Sequence, residues 1–417
     1  MPRDMAGRAA GYDARMTSAF ADLQPAPPDS ILGLTETFKA DPRPGKISLA
    51  SGVYVDERGI TPVLDTVTEA EQRILDTQTT KLYKPIVGDP AYLGAVRDLL
   101  FGPDHPLLAA GRVQTLHAPG GTGALRVAAD LLHRLRPEAT VWLSTPTWPN
   151  HPQVFAAAGL ATRAYSYLHP ATGSLDLAAL LGSLVDASPG DVVVLHGCCH
   201  NPSGVDPAPE QWAELAAVVA GRGLLPLLDF AYQGFGDGLR EDAAGLLAIA
   251  SESPEFLVAS SFSKNFALYA ERVGALSIVG ADARQAEVAM SHAKAVVRTL
   301  YSNPPAHGGE VVATILLDPG LRERWEVEVT EMRDRINGNR RRFVEGLVGA
   351  RVPFDPAALL RQRGMFSLLD MTAEQVTRLR EDSAIYLVGA GRVNVAGITT
   401  ANLEPVCAAI AAVMRGR

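Results

Sequence analysis

Four short, almost wholly apolar runs recur between residues 140 and 261. They are TVWLST (140–145), DVVVLHG (191–197), LLPLLDF (224–230) and FLVASS (256–261), each closed by small or polar residues. Runs of this length without polar alternation predict strands buried on both faces. Between them lie amphipathic stretches such as GALRVAADLLHRL (123–135) and PEQWAELAAVVAGRG (209–223). Strand and helix in alternation predict an α/β fold, with a mostly parallel sheet between helices over about 115–275. Ligands of such sheets sit beyond the carboxyl ends of the strands. The residues that follow the runs are the chemically varied ones: TPTWPNH (145–151), CCHNPSG (198–204), Asp229 to Tyr232, and Ser261 to Lys264.

After about residue 310 the pattern changes. The stretch 318–347 predicts one long charged helix, acidic early and basic late, as the helix dipole favours. GMFSLLD (364–370) and GRVNVAG (391–397) predict short strands beyond it. The expected organisation is an N-terminal arm over 1–28 and a large domain over 62–331. A smaller α+β domain would combine 29–61 with 332–417. A chain of 417 residues suits two such units.

Charge and cysteines narrow the function. The net charge of -8 has no basic block, which argues against nucleic acid or an anionic membrane as partner. No apolar run is long enough to span a bilayer, and the N-terminal stretch lacks the apolar core of a secretory signal. Cys198, Cys199 and Cys407 give no disulfide framework, so a cytoplasmic setting is expected. His196, Cys198 and His200 alternate as metal ligands on a strand might, but no second Cys/His cluster exists, and no metal is expected.

The remaining motifs suit a phosphorylated aldehyde. PGGTG (119–123) precedes a helical run, where backbone amides cradle phosphate, although a plain tight turn reads the same way. Asp229 ends its apolar run either as a helix or turn cap or as a functional group, and with Tyr232 three residues on, the two could touch opposite edges of one flat ring. Lys264 lies between hydroxyls, with Arg272 downstream. A desolvated lysine near other cations is a nucleophile for carbonyls. Ser261, Ser263 and Arg272 would bind a phosphate dianion.

Together these stretches resemble the class I aminotransferases of the aspartate and aromatic type, pyridoxal-phosphate enzymes of fold type I. SGVYVDERGITPVL, PGGTGALR, TPTWPNH, HGCCHNPSGVDP, DFAYQGFGDGL, SSFSKNFALYAERVG, RTLYSNPPAHGG, GMFSLLD and GRVNVAGI carry the likeness in order over 30–417. The resemblance implies a seven-stranded sheet and a homodimer with shared active sites. It implies pyridoxal 5'-phosphate bound to Lys264, alternating with its pyridoxamine form, and amino acids and 2-oxo acids as small-molecule partners. Lys264 would also move the α-proton. Asp229 would pair with the ring nitrogen, Tyr232 and Asn201 with the ring's phenolic oxygen, and Trp148 would stack on the ring. Gly121, Thr122, Ser261, Ser263 and Arg272 would form the phosphate cup, joined by Tyr83 of the neighbouring subunit. Arg392 would fork onto the substrate α-carboxylate near Gly52, Trp148, Asn150 and Asn201. Arg298 would reach across the dimer to a distal carboxylate, and His151 would stand behind Asp229. Val55 and Leu82 depart from the more polar residues common in the family and suggest an apolar mouth. A specialised biosynthetic donor, or decarboxylase or β-lyase chemistry on the same fold, are the alternatives.

Overall fold

The computed structural model describes residues 20–21, 23–25 and 32–416. The arm expected over 1–28 therefore lies almost entirely outside the described residues.

Two strand pairs and one seven-stranded sheet organise the described residues. In chain order the strands are β1 (Ile47–Ser48), β2 (Val113–Pro119), β3 (Thr140–Thr145), β4 (Ala161–Ser166), β5 (Val192–His196), β6 (Leu225–Phe230), β7 (Phe256–Ser261), β8 (Val273–Val279), β9 (Phe366–Leu368), β10 (Ile385–Tyr386) and β11 (Arg392–Asn394). Seven of them form one sheet in the order β2-β8-β7-β6-β5-β3-β4. Only β8 runs antiparallel to its neighbours. Side chains alternate between its faces. On β5, Val193 and Leu195 join one apolar cluster, and Val192 and Val194 join the other. On β7, Phe256 and Val258 divide from Leu257 and Ala259 in the same way. Both faces are thus covered by helices, as the continuous apolar runs require.

The four expected strands match β3, β5, β6 and β7 within a residue at each end. Three sheet strands lacked that signal. β4 is an edge strand whose ATRAYS sequence buries only Tyr165. β2 and β8 carry polar residues in their middles, where Thr115 and Ser277 share a buried hydrogen bond of 2.9 Å. Gly274 of β8 must be small, because a Cβ there would lie 2.6 Å from the Gly120 carbonyl carbon.

The long helix spans Pro319–Gly349, capped by the Asp318 carboxylate on the Leu321 N–H. The expected dipole pattern is corrected here: its first turn holds no acidic residue and its last turn no basic one. Burial of Leu321, Trp325, Val329, Met332 and Ile336 orients it instead, at helical three- and four-residue spacings. Beyond it, β9 and β11 pair antiparallel, and β10 pairs in parallel with β1. The second pairing ties residues near 47 to the C-terminal part.

Candidate active site

Every functional turn starts from the same edge of the sheet. β3, β5, β6 and β7 run parallel and deliver TPTWPNH, CCHNPSG, Asp229–Tyr232 and Ser261–Lys264 to one end. β2 ends there too and turns at Pro119 into the helix Gly120–Leu135. The result is a cavity of about 570 Å³.

Asp229, the fifth residue of β6, forms its floor. Burial would raise its pKa, but the hydrogen bond from His151 and the charges of nearby cations outweigh it and leave the group low. An ionised carboxylate only accepts, so His151 Nε2 carries the proton of the 3.0 Å bond between them. Thr147 Oγ1 lies 2.8 Å from His151 Nδ1 and 3.2 Å from His196 Nε2. His200 is packed under Tyr167 and bonded to Ser144 and Ser203. His196 therefore belongs to a hydrogen-bonded chain behind Asp229, and the His200 ring packs on His196 with centres 4.3 Å apart. Cys198, Cys199 and Asp242 approach within 4.8 Å of one another. Burial pushes both thiols up, and the Asp242 carboxylate already accepts from Gly234, Gly236 and Asp237. That chemistry does not suit a metal.

Lys264 lies three residues beyond β7, its Nζ 5.0 Å from the Tyr232 ring centre. Burial, aided by Arg272 and Arg392 and opposed by Asp229, lowers its amine to about 8. Burial pushes the Tyr232 phenol up, so it keeps its proton and can donate.

The far end suits a phosphate. The helix Gly120–Leu135 starts without a side-chain cap, which leaves its first N–H groups free. Gly120 has φ of 76°, and a Cβ there would strike Arg272 at 2.5 Å. At Gly121 a Cβ would come 3.1 Å from Ser261. Ser261 and Ser263 join their hydroxyls at 3.2 Å. Thr122 lines the same end.

The other end suits a carboxylate. Arg392 is buried and donates to Asn201 Oδ1 at 3.0 Å and to the Ala50 carbonyl at 2.7 Å. Its Nε has no partner among the described residues. The guanidinium carbon lies 4.1 Å over the Phe366 ring. Gly52, Trp148 and Asn150 line this region as well.

Two sequence-derived residues are not brought in. Tyr83 is 90% exposed, and Arg298 is exposed with its guanidinium on Ser302. Neither lines the cavity, nor do Val55 and Leu82. Conversely, Phe366 and Tyr269 line it without having been singled out. Phe366 sat inside the quoted GMFSLLD motif, and Tyr269 inside the lysine motif, so the signal was present at motif level.

The family model for aminotransferase class I and II matches residues 44–410. The aspartate aminotransferase of Salmonella typhi is 52% identical over 395 residues, 95% of this chain and 100% of that one. The chain belongs to the class I and II aminotransferases. This aminotransferase is also 46% identical to the aromatic-amino-acid aminotransferase of Escherichia coli, over 93% of its own length and 98% of that relative. An aromatic-amino-acid aminotransferase of Burkholderia pseudomallei, solved covalently bound to pyridoxal phosphate, superposes with a TM-score of 0.92. It is 47% identical and covers 95% of this chain and 100% of that one. The expected fold type I architecture and the aminotransferase reading stand. Among the described residues no helix is long and apolar enough to cross a membrane.

Proposed function

We propose that this aminotransferase moves amino groups between aspartate or aromatic amino acids and 2-oxoglutarate in two alternating half-reactions. Pyridoxal phosphate is its cofactor. The observation that carries the reading is one cavity holding Lys264, Asp229 and Arg392, with Arg392 Nε left without a partner among the described residues. The residues fit the cofactor: uncapped amides and paired serines at one end, a buried anion at the floor, a depressed lysine between. When bound, it supplies an aldehyde for amines and a ring that takes up the electron pair left by a departing α-proton.

The chain's own groups then divide the work. Lys264 would hold the cofactor, and its amine would take the proton at the substrate's Cα. Asp229 holds a proton on the ring nitrogen, and its bond to His151 keeps it aimed. Tyr232 and Asn201 would donate to the ring's phenolic oxygen, and Trp148 would stack on the ring. Gly121, Thr122, Ser261, Ser263 and Arg272 hold the phosphate. Arg392 forks onto the substrate α-carboxylate, beside Gly52.

The substrate side chain meets a mixed wall. Trp148, Tyr232, Leu125 and Phe366 line the cavity, and its cations are Lys264, Arg272 and Arg392. The apolar side chains suit an aromatic substrate. A distal carboxylate needs another cation, which Arg298 of the partner subunit would supply. We therefore favour a homodimer with shared sites, Tyr83 serving the neighbour's phosphate. Residues 62–331 would form the cofactor-binding body, 29–61 with 332–417 the smaller domain, and the enzyme would work in the cytoplasm.

The test is a half-reaction. Cofactor-loaded protein is mixed with aspartate, glutamate, phenylalanine or tyrosine alone, and conversion to pyridoxamine phosphate is followed by absorbance. Conversion by both aspartate and the aromatic donors is expected. Conversion by aspartate alone would remove the aromatic half of the proposal. Conversion by none of the four would overturn it in favour of a specialised donor or another reaction.

A further inference from the structure

The rim beside Arg392 is a short irregular segment whose carbonyls at 49, 50, 51 and 53 are all held from β11. β11 alternates, so Arg392 and Asn394 point the same way, and both are buried. The Asn394 N–H donates to the Leu49 carbonyl at 2.9 Å. Arg392 donates to the Ala50 carbonyl. Asn394 Nδ2 then donates twice, to the carbonyls of Ser51 and Val53, each at 2.7 Å. Its Oδ1 accepts from the Ala396 N–H at 3.1 Å, which fixes the amide's orientation.

Gly52 is the residue stepped over. It lines the cavity, and its N–H and C=O have no partner among the described residues. A Cβ on Gly52 would lie 3.2 Å from Phe366 Cζ, so its backbone rests on the ring that carries the Arg392 guanidinium. Asn394 uses both amide hydrogens, one on each side of the single open peptide.

We infer that Asn394 is a positioning residue for substrate binding: it sets the free backbone of Gly52 against Arg392 so that the two meet one carboxylate. The inference rests on the proposed reading of Arg392 as the carboxylate ligand. It assigns Asn394 no contact with substrate or cofactor.

The experiment measures dissociation constants of two non-reacting acids, succinate and 3-phenylpropanoate, on cofactor-loaded wild type, Asn394→Ala and Asn394→Ser. The acids share a carboxylate and differ beyond it. In Asn394→Ala both constants should rise about tenfold, the scale of a lost buried hydrogen bond. KM for aspartate and phenylalanine should rise alike, while kcat and cofactor retention stay within about threefold, because the reacting atoms keep their partners. Asn394→Ser, with one hydroxyl donor, should fall between. Unchanged constants, weakening of one acid only, or loss of cofactor at unchanged acid affinity would each overturn the inference. Arg392→Lys separates the two layers. If it leaves both acids bound as in wild type, the carboxylate reading itself fails. If it weakens both while Asn394→Ala does not, only the positioning role fails.

Discussion

Lys264 shows how much one residue's surroundings decide. An exposed lysine is protonated at neutral pH and cannot attack a carbonyl. Here burial, with Arg272 and Arg392 nearby, brings the amine from 10.5 to about 8. In the cofactor-free protein, covalent capture of pyridoxal phosphate should therefore quicken about tenfold per pH unit below about 8 and level off above it. Stopped-flow absorbance from about pH 6 to about pH 10 would check this, with Lys264→Ala as the control that captures nothing covalently. A rate still climbing beyond pH 10 would mean the amine is not depressed. The sign for stability follows from the same values. Between about 8 and 10.5 the folded protein holds fewer protons on Lys264 than the unfolded chain. Its burial cost is full below about pH 8 and is relieved as pH rises through that window. Asp229 works the other way: its partners hold it ionised despite burial, so the floor of the site keeps its charge.

At the scale of elements, β3, β5, β6 and β7 were legible because each is buried on both faces and so reads as an unbroken apolar run. β4 was not, since an edge strand with one buried side chain has no such run. The cavity's lining was legible wherever a motif directly follows one of these strands. Less visible was what fixes the motifs against each other. The turn after β5 is an example. Gly204, with φ of 68°, closes it by donating to the His200 carbonyl, and its own carbonyl accepts from Arg363 N. A Cβ there would lie 2.6 Å from the Phe366 carbonyl oxygen. The turn that carries Asn201 is thereby pressed onto β9. Gly204→Ala should cost at least about 2 kcal/mol, from the unfavourable φ and the backbone collision together. The urea midpoint at constant m-value reports it. An unchanged midpoint would show that β9 yields without cost.

The whole molecule raises the question of what its exposed side chains serve. Leu82 is 78% exposed and Tyr83 is 90% exposed, both on the irregular stretch after the helix Asp65–Thr77. Val63 and Leu75 are exposed on the same part of the chain. Exposed apolar groups that join into one patch mark an interaction surface, and we propose that these do. A two-fold dimer would cover that surface and bring Arg298 of the partner subunit to a cavity that lacks a cation for a distal carboxylate. Hydrophobic patterning carries no signal for such an arrangement; only the resemblance of the motif holding Arg298 implied it. Complementation tests it directly. Lys264→Ala and Arg298→Ala are each expected to be nearly inactive toward aspartate. Co-expressed in equal amounts, about half of the dimers should be mixed, each with one site that has both Lys264 and the partner's Arg298 intact. Aspartate turnover should then recover to about a quarter of wild type. If Arg298 served the cavity of its own chain, every site in the mixture would carry one lesion, and no recovery would be seen.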